Sequence, residues 1–163
     1  MATRLIAAIL SISFVMGCTR STQPTSVEVA IAGETFTLEL STDTPSRIHG
    51  LMERTSIPDH GGMLFVFTDA SERSFWMANC LINIDLLFLD SRGTITAAHE
   101  MKIEEPQGVT ESQWDYERRL KHYYSNGPAR FAIELQEGTI QRLHLRVNDR
   151  IPLDLRDLRN IAR

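Results

Sequence analysis

The chain has 163 residues and a formal net charge of −4 at pH 7, from 17 basic and 21 acidic side chains. Hydrophobic residues make up 42% of it and charged residues 23%, which is typical of one globular domain. This acidic balance argues against a protein that binds nucleic acid through its phosphates, because that interaction needs clustered Lys and Arg. We therefore expect no nucleic-acid partner.

The first residues are typical of an export signal. Arg4 precedes an apolar run at residues 5–16, which is shorter than the roughly 20 residues that span a bilayer. Residues 15–18 read Val-Met-Gly-Cys and resemble the bacterial lipoprotein processing motif, in which the cysteine is acylated after cleavage. We therefore predict lipidation at Cys18.

These features divide the chain into three parts. Residues 1–17 are predicted to be a lipoprotein signal peptide, residues 18–26 a polar tether, and residues 27–163 a single domain. Several acyl chains anchor a protein stably where one chain binds only marginally. We expect the protein in the cell envelope, on the periplasmic face of a bacterial membrane, which is the outer membrane if the cell is Gram-negative.

The domain opens with two alternating apolar segments, residues 27–31 and 36–40, around a glycine turn, which predict an antiparallel hairpin. Thr44-Pro45 is typical of a helix start. Ile48, Leu51 and Met52 would then form one apolar stripe on that helix.

The middle of the chain is rich in short apolar segments, which predict strands at residues 63–67, 74–80, 84–90 and 94–101. In the third of these, Ile84, Leu86 and Phe88 would face one way and Asp85 the other.

Residues 104–110 are predicted to be a loop. After it we predict a helix at 111–124, a strand at 131–135, a helical turn from Gly138, a strand at 147–153 and a final helix at 154–161. The predicted fold class is mainly β, a small antiparallel sandwich or partly open barrel with two or three short helices.

Polar side chains within apolar segments identify a candidate site, because burying them costs free energy unless they are paired. An arginine could pair with a strand carboxylate and pin the first helix to the sheet. It could equally hold a ligand beside the tryptophan, with the amide and the carboxylate orienting it. The candidate ligand-binding residues are Arg54, Trp76, Asn79 and Asp85.

The sequence is compatible with three functions. The first is a binding or accessory module for a small molecule, a glycan or another envelope protein. The second is a small enzyme that uses Asp85 or Glu134 as acid or base, with Arg54 as a clamp. The third is a Cu(I)-handling protein, whose soft ligands would be Met52, Met63, Met77, Met101 and Cys80.

Other chemistries lack support in the sequence. The five histidines show no spacing typical of zinc ligands, and no serine-nucleophile or phosphate-binding glycine motif is found. We predict no catalytic residue, no resident metal and no cofactor.

Four spaced motifs resemble the DUF192 family of bacterial and archaeal proteins, and the resemblance covers about residues 27–153. It implies a small mainly-β fold, commonly exported, without an established activity or a catalytic residue to transfer. The motifs are Gly50-Leu51-Met52-x-Arg54, Gly62-Met63-Leu64-Phe65-x-Phe67, Phe75-Trp76-Met77-x-Asn79 and Ile84-Asp85-x-x-Phe88-x-Asp90-x-x-Gly93.

The chain departs from the family pattern at three places. Cys80 stands where threonine is usual, and Asn148 stands where glycine is usual. Residues 111–121 form a longer insertion than many members carry. The last two departures affect the local turn and loop shapes, not the expected fold.

Overall fold

The computed structural model describes residues 24–163. The predicted signal peptide, the lipidation at Cys18 and most of the tether lie outside these residues. Within them, no helix has both the length and the apolar character needed to cross a membrane.

The described part of the chain contains eight strands and four short helices. The strands are β1 (Ser26–Ile31), β2 (Glu34–Ser41), β3 (Gly61–Ser71), β4 (Ser74–Phe75), β5 (Ile84–Leu89), β6 (Ile95–Met101), β7 (Tyr123–Tyr124) and β8 (Ala129–Gln136). The helices are α1 (Thr44–His49), α2 (Gln113–Arg119), α3 (Thr139–Arg142) and α4 (Leu155–Ile161).

Six strands form one sheet in the order β1-β2-β3-β8-β5-β6, and β4 pairs with β7 in a separate small ribbon. Neighbouring strands are antiparallel except β2 and β3, which are parallel. The main sheet does not close into a barrel, since β1 and β6 lie at opposite edges. The predicted mainly-β fold is confirmed.

Both faces of the sheet are covered, because its central strands are apolar on both sides. One face carries Leu64, Leu87 and Ile133 and packs against the segment from α3 to α4. The other carries Phe65 and Phe88. Phe75 of the ribbon packs on this second face, with its ring centroid 4.9 Å from that of Phe65.

The predicted strand at residues 74–80 is wrong beyond its first two residues. Only β4 is extended, and the chain turns at Asn79, whose φ of 53° lies in the left-handed region. The Asn79 carbonyl accepts a hydrogen bond from the Glu53 amide instead of a neighbouring strand. A left-handed residue cannot continue a strand, so the turn ends it.

The first helix is shorter than the apolar stripe suggests. Its N-cap is Asp43, which forms a reciprocal capping box with Ser46, and Thr44 is already helical. Gly50 ends the helix with φ 51° and ψ −131°, which is a conformation suited to glycine. Ile48 is 68% exposed and lies outside the core, so the predicted stripe is wrong.

Two later predictions are also corrected. The helix expected at residues 111–124 ends at Arg119, because Leu120 is extended and Tyr123–Tyr124 pairs with β4. The strand expected at residues 147–153 is reduced to one bridge between Thr94 and Arg150.

Candidate functional site

A cavity of about 380 Å³ opens on the second face of the sheet, between the end of α1 and the β4 segment. Leu51, Phe65, Phe75 and Trp76 supply its apolar walls. Its volume lies in the lower part of the range typical of small-molecule sites, roughly 300–1,000 Å³. We call this cavity the Glu134 pocket, after the carboxyl group that lines it.

Glu134 projects from β8 and is only 6% exposed. The backbone N–H of Leu51 hydrogen-bonds its carboxyl group, but Oε2 is buried and has no hydrogen-bond partner among the described residues. Burial raises the pKa of Glu134 to about 8, because the charged form is poorly solvated there. At neutral pH the group is therefore mainly protonated and able to donate a hydrogen bond.

Gly50 leaves the approach to this carboxyl group open. A Cβ on Gly50 would lie 3.5 Å from Oε2 of Glu134 and 3.4 Å from Cζ of Phe65. Any side chain at this position would therefore occupy the space in front of the acid.

Two arginines line the pocket near Phe67. The guanidinium carbon of Arg73 lies 4.2 Å from the Phe67 ring centroid, and that of Arg47 lies 5.6 Å from it. Arg73 forms an ion pair with Asp69, whereas Arg47 has no Asp or Glu side chain within ion-pair distance in the described part of the chain. Burial, together with the charge of Arg73, lowers the pKa of Arg47.

Cys80 also lines the pocket, but as a thiol. Burial and the nearby Glu134 raise the pKa of Cys80 to about 12, and Sγ lies 3.5 Å from the Ala78 carbonyl oxygen. Since the thiolate is the nucleophilic form, this group acts here as a packing side chain.

The loop that carries Trp76 is held by helix α2. Tyr116 of this helix is 1% exposed, and its hydroxyl accepts a hydrogen bond of 2.9 Å from the backbone N–H of Asn79. Trp76 itself is 37% exposed, with its ring centroid 5.2 Å from that of His122. Helix α2 thus supports one wall of the pocket.

The four candidate residues from the sequence do not converge. Trp76 lines the Glu134 pocket, and Asn79 lies in the supporting loop. Arg54 makes a two-pronged ion pair with Glu39, at 2.8 and 2.6 Å. Asp85 is buried on the opposite side of the sheet.

The carboxyl group of Asp85 connects the sheet to helix α3. Its Oδ2 accepts a 2.7 Å hydrogen bond from the Ile140 amide of α3, and burial raises its pKa. Arg54 therefore contacts neither Asp85 nor Glu134, because its own partner is Glu39.

Sequence reasoning named Glu134 only as an alternative acid and missed Arg47 and Arg73. The available signal for Glu134 was a lone carboxylate inside the apolar run of β8. No local pattern marks the two arginines, since strand pairing and the chain reversal after α1 bring them together.

The sulfur atoms considered for Cu(I) lie largely in the core. Met63, Met77 and Met101 are buried in the second face, with Cys80 at its margin, while Met52 packs with α2 residues. Among residues 24–163, no group of three His, Cys, Asp or Glu residues is placed to hold a metal ion.

The chain is similar to known proteins in sequence and in fold. The model of the DUF192 family, described as an uncharacterized ACR, matches residues 27–153. A protein from Sinorhizobium meliloti 1021, provisionally described as a transcription regulator, has a similar crystal structure: TM-score 0.61, 29% identity, covering 80% of this chain and 97% of that one.

A protein of unknown function from Novosphingobium aromaticivorans DSM 12444 has a TM-score of 0.60 and 20% identity, covering 85% of this chain and 91% of that one. At this identity the likeness concerns the fold alone. No curated protein matches the chain.

Proposed function

The chain belongs to the DUF192 family, which is described as uncharacterised, and we propose that it is an envelope binding module whose Glu134 pocket holds a small molecule. The observation that carries this proposal is the buried, unpartnered Oε2 of Glu134 in an apolar cavity. A few polar groups placed in an apolar cavity are typical of ligand sites.

A buried carboxyl oxygen without a hydrogen-bond partner costs free energy. Among the described residues, both Oε2 of Glu134 and Oδ1 of Asp85 lack a partner, but Asp85 does not line the cavity and its Oδ2 accepts the Ile140 amide of α3. Glu134 instead faces a cavity kept open by Gly50. A ligand oxygen or nitrogen would complete its hydrogen bonding.

We also propose that the module is anchored to a membrane of the cell envelope. Acyl chains at Cys18 would anchor the module to the membrane, and the short tether would keep the domain near the periplasmic face. The motif at residues 15–18 supports this placement. Such a module would bind its ligand in the envelope.

An acid–base enzyme is the second candidate, and the raised pKa of Glu134 favours it. A carboxyl group with a pKa of about 8 is suited to donate a proton near neutral pH. Arg54 and Asp85 do not line the pocket, so Glu134 would act without the clamp expected from the sequence.

The test is mass spectrometry of what co-purifies with the full-length protein from its native membrane. We expect the wild-type protein to release one defined small molecule. Glu134→Leu should retain about tenfold less, because leucine cannot form the hydrogen bond to the molecule.

The matched control is Asp85→Asn, a buried carboxyl group on the other face, which should retain the molecule as wild type does. A folded wild-type protein that releases no molecule, or equal retention by Glu134→Leu, would contradict the proposal. Conversion of the recovered molecule on incubation with the protein would instead establish the enzyme.

A further inference from the structure

We propose that the ligand of the Glu134 pocket is a small amphipathic carboxylic acid, with its carboxylate at Arg47 and Arg73 and a hydrogen-bond acceptor at its far end, facing Glu134. This inference rests on the proposed function and adds the chemical class of the ligand. It depends on how charge and polarity are distributed along the pocket.

The two polar regions of the pocket lie at different positions along β3. Glu134 is paired with Met63, whereas the two arginines lie against Phe67, four residues further along the strand. A strand rises about 3.3 Å per residue, so these positions are roughly 13 Å apart. Phe65 lies between them and lines the apolar middle of the pocket.

The arginine end brings two guanidinium groups together at one ring, although Arg73 also pairs with Asp69. Arg47 and Arg73 lie over the same phenylalanine ring, and the charge of Arg73 disfavours the charged form of Arg47. Nε of Arg73 is buried and has no hydrogen-bond partner among the described residues. A ligand carboxylate would relieve the repulsion and accept these N–H groups.

Arg47 is positioned for this role by the backbone. Its guanidinium donates to the Val66 carbonyl at 3.0 Å, to the Thr44 hydroxyl at 3.2 Å and to the main-chain oxygen of Arg163 at 2.9 Å. These contacts hold the guanidinium in place at the edge of the pocket. The lining also includes Glu72, an exposed carboxylate that would repel an anion.

The opposite end favours a neutral acceptor. Glu134 is protonated at neutral pH, so it can donate to a hydroxyl or carbonyl oxygen. A second ligand carboxylate there would be poorly solvated, as the carboxylate form of Glu134 itself is. The walls between the two ends are aromatic and aliphatic, which suits a hydrocarbon body.

Binding can be followed through the fluorescence of Trp76, since it lines the pocket. The chain has two tryptophans, and Trp114 is 71% exposed, so Trp114→Phe gives a background with one reporter. The probes are octanoate, ω-hydroxyoctanoate, octan-1-ol and octylamine, added to full-length protein at neutral pH.

We expect octanoate to bind more tightly than octan-1-ol, and Arg47→Gln to weaken octanoate binding about tenfold or more while leaving octan-1-ol unchanged. Glu72→Gln should strengthen octanoate binding. Arg54→Gln is the matched control, because this arginine pairs with Glu39 on the surface, and it should change neither affinity.

The far end is tested with the hydroxyl group. ω-Hydroxyoctanoate should bind severalfold more tightly than octanoate, and Glu134→Leu should abolish that gain because leucine cannot donate. If octan-1-ol or octylamine binds as well as octanoate, the acid class is wrong while a small-molecule pocket remains. Failure of the proposed function itself would be read separately, from the absence of any molecule in the native extract.

Discussion

At the residue scale, the sheet carries two buried carboxyl groups in contrasting environments. Asp85 accepts the Ile140 amide and so connects β5 to α3. Glu134 has a backbone partner in Leu51 but keeps Oε2 unpaired in a cavity. Oδ1 of Asp85 is also unpaired among the described residues, so it is the cavity in front of Glu134 that indicates the functional candidate.

The raised pKa of Glu134 makes the stability of the protein depend on pH. Because the folded-state pKa is about 8, the native protein keeps a proton that the unfolded chain releases near the ordinary carboxyl pKa. The free energy of unfolding should therefore fall as pH rises between these two values, by up to about 1.4 kcal/mol per pH unit.

Urea unfolding of wild type and Glu134→Gln at several pH values between about 5 and 8 measures this effect. Glutamine does not titrate, so the variant should lack the decline. Asp85 remains in both proteins, so its own titration cancels in the difference. Parallel stability curves for the two proteins would contradict the assignment of the raised pKa to Glu134.

At the element scale, one wall of the pocket depends on helix α2. The segment after β4 turns at Asn79 and is held by α2, through the buried hydroxyl of Tyr116. Tyr116 is the buried residue of helix α2, and Leu120, which directly follows the helix, is also buried. Its contribution to the molecule is therefore mainly to position the loop that carries Trp76.

Tyr116→Phe tests this support. The variant leaves the backbone N–H of Asn79 without its acceptor, which should lower the free energy of unfolding by about 1–3 kcal/mol. Trp76 should become more accessible, measured as stronger acrylamide quenching in the Trp114→Phe background. Tyr124→Phe serves as control, since Tyr124 is exposed, and equal quenching in both variants would refute the supporting role.

At the scale of the whole molecule, both faces of the six-stranded sheet are covered, and each has its own hydrophobic core. The pocket lies on the face covered by the small ribbon and the loop after α1, not by the C-terminal helices. The binding region and the larger core are thus separated by the sheet. Changes in the pocket can affect ligand binding while the core around Leu64 and Ile133 is kept.

The proposed membrane anchor is also a property of the whole chain. Cys18→Ala should release the protein from the membrane, because acyl chains supply the attachment. Incorporation of a labelled fatty acid and partition into the detergent phase measure this. Cys80→Ala is the control, as the other cysteine of the chain, and it should remain anchored. Membrane attachment of the Cys18→Ala protein would reject acylation at this residue.

Alternation of apolar residues sufficed to predict most of the sheet. The hairpin of β1 and β2 and the two faces of β5 follow from period-two patterns, and β3 follows from a continuous apolar run, which suits a strand buried on both sides. The pattern failed at residues 76–80, because their burial comes from a loop packed under α2 and not from a strand.

The sequence by itself determined the mainly-β character, the positions of the principal strands along the chain and the family. These depend on local periodicity and on motifs read along the chain. Only the tertiary structure decided the site. Arg54 and Asp85 found partners elsewhere, while Arg47, Arg73 and Glu134 came together around one cavity. Which polar groups meet depends on strand pairing between segments distant in sequence, and no local pattern carries that information.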